Sequence, residues 1–237
     1  MRREAINQIL WGRESRYLPG GGVFERGLFE CEQRVITEPP FPQAGRILLG
    51  GAGGGRELLE LCRRGYDVVA FEPSDLCEGA RQVVSSFPNS AVIRASYRDL
   101  VTAVQEHAGP LAAHVLNASF DAVIFGWGSF YFVFADERRE VLRAARTAAP
   151  EGPLLLSYGE QQDAENGRLD RLRPIIRLIC KMLGAPSARV PGDLFRFGFG
   201  HIGFQDDLKD LAEASGYRVL YRRASGAPSP YAMLMPQ

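Results

Sequence analysis

From Arg46 onward, short apolar runs rich in branched residues alternate with stretches of helical period. This pattern constrains the fold most. It predicts a parallel sheet covered by helices, because runs buried on both faces need no polar alternation and each crossover needs the length of a helix. The strands are expected at residues 47–49, 68–71, 91–94, 120–125 and 154–157. Between the first two, residues 57–64 place Leu58, Leu59, Leu61 and Cys62 on one helical face, and Gly65 follows where a C-terminal cap is wanted. Ser74 or Asp75 is expected to cap the next helix, and Asp136 to open one running through Val141, Leu142 and Ala145.

Beyond the fifth strand the pattern changes. Residues 160–204 hold an amphipathic stretch at 172–183 and then a Gly- and Phe-rich loop, which together read as an inserted helical lid. Helical period returns at 205–215, and runs at 217–222 and 231–235 read as a terminal hairpin around a Gly-Ala-Pro-Ser-Pro loop. Residues 1–45 begin as a helix and continue through Pro19-Gly20-Gly21-Gly22, an extension expected to cover the ligand site. The expected fold is thus a doubly wound, mostly parallel seven-stranded α/β sheet with an antiparallel C-terminal hairpin. The extension spans 1–45 and the domain 46–237, with its insertion at 160–204.

Composition excludes several partners. The 28 basic and 28 acidic residues cancel and are interspersed, so nothing marks a surface for nucleic acid or a membrane. Cys31, Cys62, Cys77 and Cys180 lie far apart without a Cys-x-x-Cys pair, which predicts buried thiols and no metal site. With no apolar run of spanning length and no apolar leader, a cytoplasmic protein is expected.

The candidate site begins at Gly50-Gly51-Ala52-Gly53-Gly54-Gly55, directly after the first strand. Glycines there let the backbone turn tightly and approach a ligand, and the following helix offers free amides. Glu72, followed by Pro73, ends the second strand, where a carboxylate accepts hydrogen bonds from the hydroxyls of an adenosine ribose. A dinucleotide fingerprint starting at Gly51 would put Arg56 where close helix packing wants glycine or alanine.

The spacing of Gly51, Gly53 and Gly55 resembles that of the class I S-adenosylmethionine-dependent methyltransferases, and the likeness extends from about Arg46 to the C-terminus. It implies S-adenosylmethionine as cofactor, held by Gly51, Ala52, Gly53, Gly55, Glu72 and Pro73. Ser96 and Tyr97, just after the third strand, fall where the family contacts adenine. The terminal helix and hairpin match its sixth and seventh strands, the last antiparallel to the others. The segment from Phe120 to Tyr131 resembles the fourth-strand motif, whose end lies between cofactor and acceptor. Gly126 would allow close approach there, and Trp127, Phe130 and Tyr131 would form walls. Two residues depart from the pattern. Leu49 stands where the family has an acid that orients the methionyl end, leaving Glu30, Glu32, Glu57 or backbone carbonyls to hold the ammonium. Ser96 replaces a frequent aspartate.

Gly126-Trp127-Gly128-Ser129 lacks both the Asn/Asp-Pro-Pro-Tyr/Phe motif of enzymes that methylate nucleic-acid bases and the acids of aminopropyl transferases. The implied activity is methyl transfer to a small-molecule acceptor. Candidate catalytic residues are His201, Glu160 and Tyr131, with Tyr158 beside Glu160; His201 reads equally well as a histidine bonding loop backbone. Two other readings stay open: a regulatory protein that binds the cofactor without methyl transfer, and an NAD(P)-dependent oxidoreductase.

Overall fold

A computed structural model describes residues 2–12, 14–117, 119–158, 193–195, 199–201, 205–220 and 231–237. Its main sheet contains β1 (Arg46–Gly50), β2 (Asp67–Phe71), β3 (Ala91–Ile93), β4 (Ala122–Phe125), β5 (Leu154–Ser157), β8 (Tyr217–Val219) and β9 (Tyr231–Pro236). The order across it is β3-β2-β1-β4-β5-β9-β8. The first five strands pair in parallel, and β9 runs antiparallel to both its neighbours. The seven-stranded sheet and the reversed last strand match the reading of the sequence.

Side chains alternate across β1. Leu48 joins Phe71, Val123, Phe125 and Leu156 on one face. There they pack against α5 (Tyr97–Glu106), α6 (Ala112–Val115), α7 (Ala135–Ala148) and α8 (Gln205–Glu213). Ile47 and Leu49 join Val68, Ala70, Ile124 and Leu155 on the other face, against α2 (Glu30–Thr37), α3 (Arg56–Arg63) and α4 (Cys77–Val84). Both faces of each central strand are therefore dry, and burying a Leu or Ile there contributes about 1.5–3 kcal/mol. Helices after β1 and β2 lie on one face and those after β3 and β4 on the other, so the winding reverses between β1 and β4. A crevice at the carboxyl ends of these two strands follows from that topology.

Several local expectations change. Gly65 does close α3, with φ of 88°. The N-cap of α4 is Leu76, without a side-chain cap; the Ser74 hydroxyl donates to Glu72 and accepts the Leu76 amide at 3.4 Å, ahead of the helix's own donors, and Asp75 pairs with Arg94. Phe134 is the N-cap of α7 and Asp136 sits in its first turn, where a carboxylate favours the helix dipole. The extension contains two helices, α1 (Arg2–Gly12) and α2, the second unforeseen. The Gly- and Phe-rich loop contains an antiparallel ribbon, β6 (Asp193–Phe195) and β7 (Phe199–His201). The amphipathic stretch at 172–183 lies outside the described residues. Among the described residues no helix is long and apolar enough to cross a membrane.

Candidate functional site

The glycine spacing after β1 is a conformational demand. Gly51, Gly53 and Gly55 have φ of 68°, 54° and 97°, left-handed values that strain any side chain. The amides of Gly51 and Ala52 bond the Phe71 carbonyl at 2.9 and 3.1 Å, and Gly55 is the N-cap of α3. A β-carbon on Gly51 would overlap Ser129, whereas one on Gly53 would meet no atom within 4 Å. Space is therefore open above Gly53.

Glu72 follows β2 and is 7% exposed. Its Oε2 accepts the Gly53 amide at 2.9 Å, and its Oε1 accepts the Ser74 amide and hydroxyl at 2.9 and 2.6 Å. A carboxylate offers about four acceptor directions, so one remains for an incoming donor and a second donor must displace an existing one. Pro73, half-buried, links Glu72 to the Ser74 turn.

Ser96 is the N-cap of α5. Its hydroxyl donates to Asp99 Oδ2 at 2.8 Å and accepts the Asp99 amide at 3.3 Å, a capping box that uses its only proton. The partly exposed Tyr97 ring meets Phe71 and Phe125 edge-on, with centroids 5.3 and 4.9 Å away. Its hydroxyl lies 2.6 Å from Ser129 Oγ. Because Ser129 gives its single proton to the Gly126 carbonyl at 2.7 Å, Tyr97 is the donor. Burial pushes its ionisation far above the usual phenol range.

At the end of β4 the Gly126 amide reaches the Gly50 carbonyl at 2.8 Å, and Gly128 donates to Ser157 Oγ at 2.6 Å. Of the three expected aromatic walls, Phe130 belongs to the core: it is fully buried, stacked on Phe125 at 5.6 Å and covered by the Arg138 guanidinium. Trp127 and Tyr131 are half-buried. The Trp127 ring meets Phe29 edge-on at 4.9 Å, and its buried Nε1 has no hydrogen-bond partner. Tyr131 lies on the 3-10 turn Ser129–Phe132, against which β7 packs, and His201 is the last residue of β7. Tyr158 is buried beyond β5. Glu160 lies outside the described residues.

The extension crosses the glycine turn. A β-carbon on Gly54 would overlap the Tyr17 carbonyl, and one on Gly79 would come within 2.5 Å of Leu18 Cδ2. Trp11 of α1 meets Tyr17 and Phe132 edge-on.

A buried charge network beside the turn was not foreseen as a unit. Arg56 Nη1 donates to Glu32 Oε2 at 2.7 Å and to the Gly27 carbonyl at 2.6 Å. Its Nη2 donates to Glu32 Oε1 at 2.8 Å and to Glu57 Oε1 at 2.6 Å. Tyr231 Oη also donates to Glu32 Oε1, at 2.8 Å, and the Trp127 amide to Glu57 Oε1, at 2.9 Å. Burial works against the Arg56 charge, but Glu57 and Glu32 hold its pKa above the ordinary value. Burial pushes the Glu32 carboxyl upward, Arg56 opposes this, and the Glu57 charge adds to the rise. Of the three acids considered for the ammonium, Glu30 is exposed, while Glu32 and Glu57 enter this network. Leu49 is fully buried among Ile47, Leu58 and Leu61. The sequence signal was Arg56 itself, a charged residue at a helix start packed against the sheet.

No family model and no curated protein matches the chain. Solved structures do. CalO1, a methyltransferase in calicheamicin biosynthesis determined in an SAH-bound form, is 16% identical with a TM-score of 0.52. The match covers 86% of this chain and 52% of CalO1, so the chain spans about half that protein's length. PH0226 from Pyrococcus horikoshii OT3 is 19% identical with a TM-score of 0.58, and 87% of each chain is covered. NcsB1, an O-methyltransferase from neocarzinostatin biosynthesis in complex with S-adenosylmethionine and 2-hydroxy-5-methyl naphthoic acid, is 14% identical with a TM-score of 0.53. That match covers 81% of this chain and 49% of NcsB1. At these identities the likeness is one of fold, and this chain has the fold of the class I S-adenosylmethionine-dependent methyltransferases.

Proposed function

We propose that the protein is an S-adenosylmethionine-dependent methyltransferase acting on a small-molecule acceptor. The observation that carries the reading is Glu72, set by β2 beside the Gly53 amide in a fold whose crevice opens at this point. The residues fit the cofactor: space is open above Gly53, Glu72 keeps an acceptor direction for a ribose hydroxyl, and the Trp127 indole N–H is a buried donor in want of an acceptor. The same geometry weighs against a dinucleotide. A pyrophosphate needs the amides of the glycine turn, and here Gly53 gives its amide to a carboxylate of the chain.

In this reading Gly51, Ala52, Gly53 and Gly55 shape the floor, Glu72 and Pro73 take the ribose, Ser96 and the exposed edge of Tyr97 border the adenine, and Gly126 and Trp127 border the methionyl part. The cofactor supplies an electrophilic methyl group on a sulfonium. The chain's own residues orient the acceptor in line with it and exclude water, which carries much of the acceleration in such displacements. The ribbon strand β7, which ends in His201, packs against the 3-10 turn that bears Tyr131; His201, Tyr131 and Glu160 are the groups proposed to receive an acceptor proton. The extension over residues 1–45 would close the site through Tyr17 and Leu18, and the insertion at 160–204 would form its other wall. That NcsB1 was crystallised with a naphthoic acid supports an acceptor of comparable size.

Calorimetry with S-adenosylhomocysteine and with NAD tests the cofactor. Binding of the first in the micromolar range and no binding of the second is expected; the reverse overturns the reading. Transfer of labelled methyl from S-adenosylmethionine to a panel of small hydroxylated aromatics tests the activity and separates an enzyme from a binding protein.

A further inference from the structure

Resting on the cofactor reading above, we infer that Glu57, held in the buried network with Arg56 and Glu32, takes the ammonium of the cofactor's methionyl end in place of an acid at position 49. Three observations lead there. The network contains two carboxylates and one guanidinium, all of them 5–8% exposed, and is therefore one positive charge short. An unbalanced charge in such surroundings is costly unless a counter-ion arrives. Glu32 is saturated, its two oxygens accepting from Arg56 twice, from Tyr231 and from the Phe29 amide. Glu57 is not: Oε1 accepts from Arg56 and the Trp127 amide, and Oε2 has no partner among the described residues.

The position of Glu57 fits this role. Its Oε1 bonds the residue that follows Gly126, and a β-carbon on Gly126 would stand 3.4 Å from that oxygen. The carboxylate thus lies where the glycine turn of β1 meets the end of β4. The independent sign of a ligand is the Trp127 indole Nε1, a buried donor without an acceptor. An amino-acid end carries one ammonium and one carboxylate, and it would satisfy a surplus anion and an orphan donor together. Leu49 loses nothing by being apolar, since it packs among Leu58 and Leu61 below the network. Arg56, which spoils a dinucleotide fingerprint, fixes Glu57 Oε1 and leaves Oε2 for the ligand.

The test compares two ligands that share the adenosyl group. S-adenosylhomocysteine has the amino-acid end and 5′-methylthioadenosine lacks it. For Glu57→Gln, whose amide oxygen still accepts from Arg56 and Trp127, calorimetry should give a loss of about 10–100-fold in affinity for S-adenosylhomocysteine and less than about 3-fold for 5′-methylthioadenosine. Glu32→Gln, which also removes the charge surplus, should shift the same ratio in the same direction, and thermal melts establish that both variants fold. Equal losses for the two ligands, or none, overturn the inference and leave the cofactor reading standing. Failure of both ligands to bind the unaltered protein overturns the cofactor reading itself.

Discussion

The carboxylate of Glu72 and the amide of Gly53, 2.9 Å apart, join the end of β2 to the turn after β1. Two motifs that are separate in sequence are one piece of structure. Glu72→Ala is expected to remove three hydrogen bonds, lowering stability by about 1–3 kcal/mol and S-adenosylhomocysteine affinity at least about tenfold. Glu72→Gln should be scarcely better, because its Nε2 would face either the Gly53 amide or the Ser74 amide, donor against donor. Chemical denaturation and calorimetry on the two variants check this; wild-type stability in Glu72→Gln would contradict it.

Gly51 and Gly53 share a backbone conformation but not an environment. Alanine at 51 collides with Ser129 as well as straining φ, so a loss of about 2–4 kcal/mol is expected. Alanine at 53 meets no protein atom and should cost only the backbone strain, about 1–2 kcal/mol. Its methyl group occupies the open space of the crevice, however, so Gly53→Ala should lose cofactor binding while melting nearer to wild type. Melting curves with and without S-adenosylhomocysteine separate the two effects.

Tyr97 gives its proton to Ser129, and the consequences of removing either partner differ. Ser129→Ala leaves a buried hydroxyl unsatisfied, with an expected cost of about 1–3 kcal/mol. Tyr97→Phe leaves Ser129 still bonded to the Gly126 carbonyl and should cost about 0.5–1.5 kcal/mol. The double variant should lose less than the sum, which a double-mutant cycle in urea measures directly.

Alkaline pH should unfold this protein readily. Burial raises the ionisation of Cys31, Cys62 and Cys77 and of Tyr97, Tyr217 and Tyr231. A group with a raised folded pKa contributes stability fully below its unfolded pKa and loses it as pH rises. The unfolded values are about 8.5 for thiols and about 10 for phenols, so stability should be level up to about pH 8 and fall progressively above. Tyr231→Phe and Tyr97→Phe should each flatten the upper part of that slope.

The strands and the winding were legible because their signal is local: apolar runs such as Val68 to Phe71 report burial on both faces without reference to any partner. The glycine turn was legible for the same reason, since a left-handed backbone at every second residue writes itself into composition. Phe130 was misplaced because an aromatic residue reads alike as wall or core, and only its stacking on Phe125 decides. Ser74 reads as a helix cap because a hydroxyl just ahead of a helix can accept a helix amide, but its proton goes to Glu72 and it accepts only the Leu76 amide ahead of the first turn. The Arg56 network was invisible as a unit because its members come from α2, α3 and β9, and no sequence period links them.

The bond from Tyr231 to Glu32 closes a separation of 199 residues. During synthesis the helix bearing Glu32 leaves the ribosome long before the strand bearing Tyr231, and β9 must insert beside β5 before the two can meet. Closing a loop of that length costs chain entropy before the contact rewards it. A nascent chain with its glycine turn already shaped therefore still has Glu32 short of one donor and the edge of β5 uncovered. The buried network near the front of the chain is thus completed only by the strand that ends the sheet's assembly, so the backbone amides of β9 and of α2 should gain their protection from hydrogen exchange together.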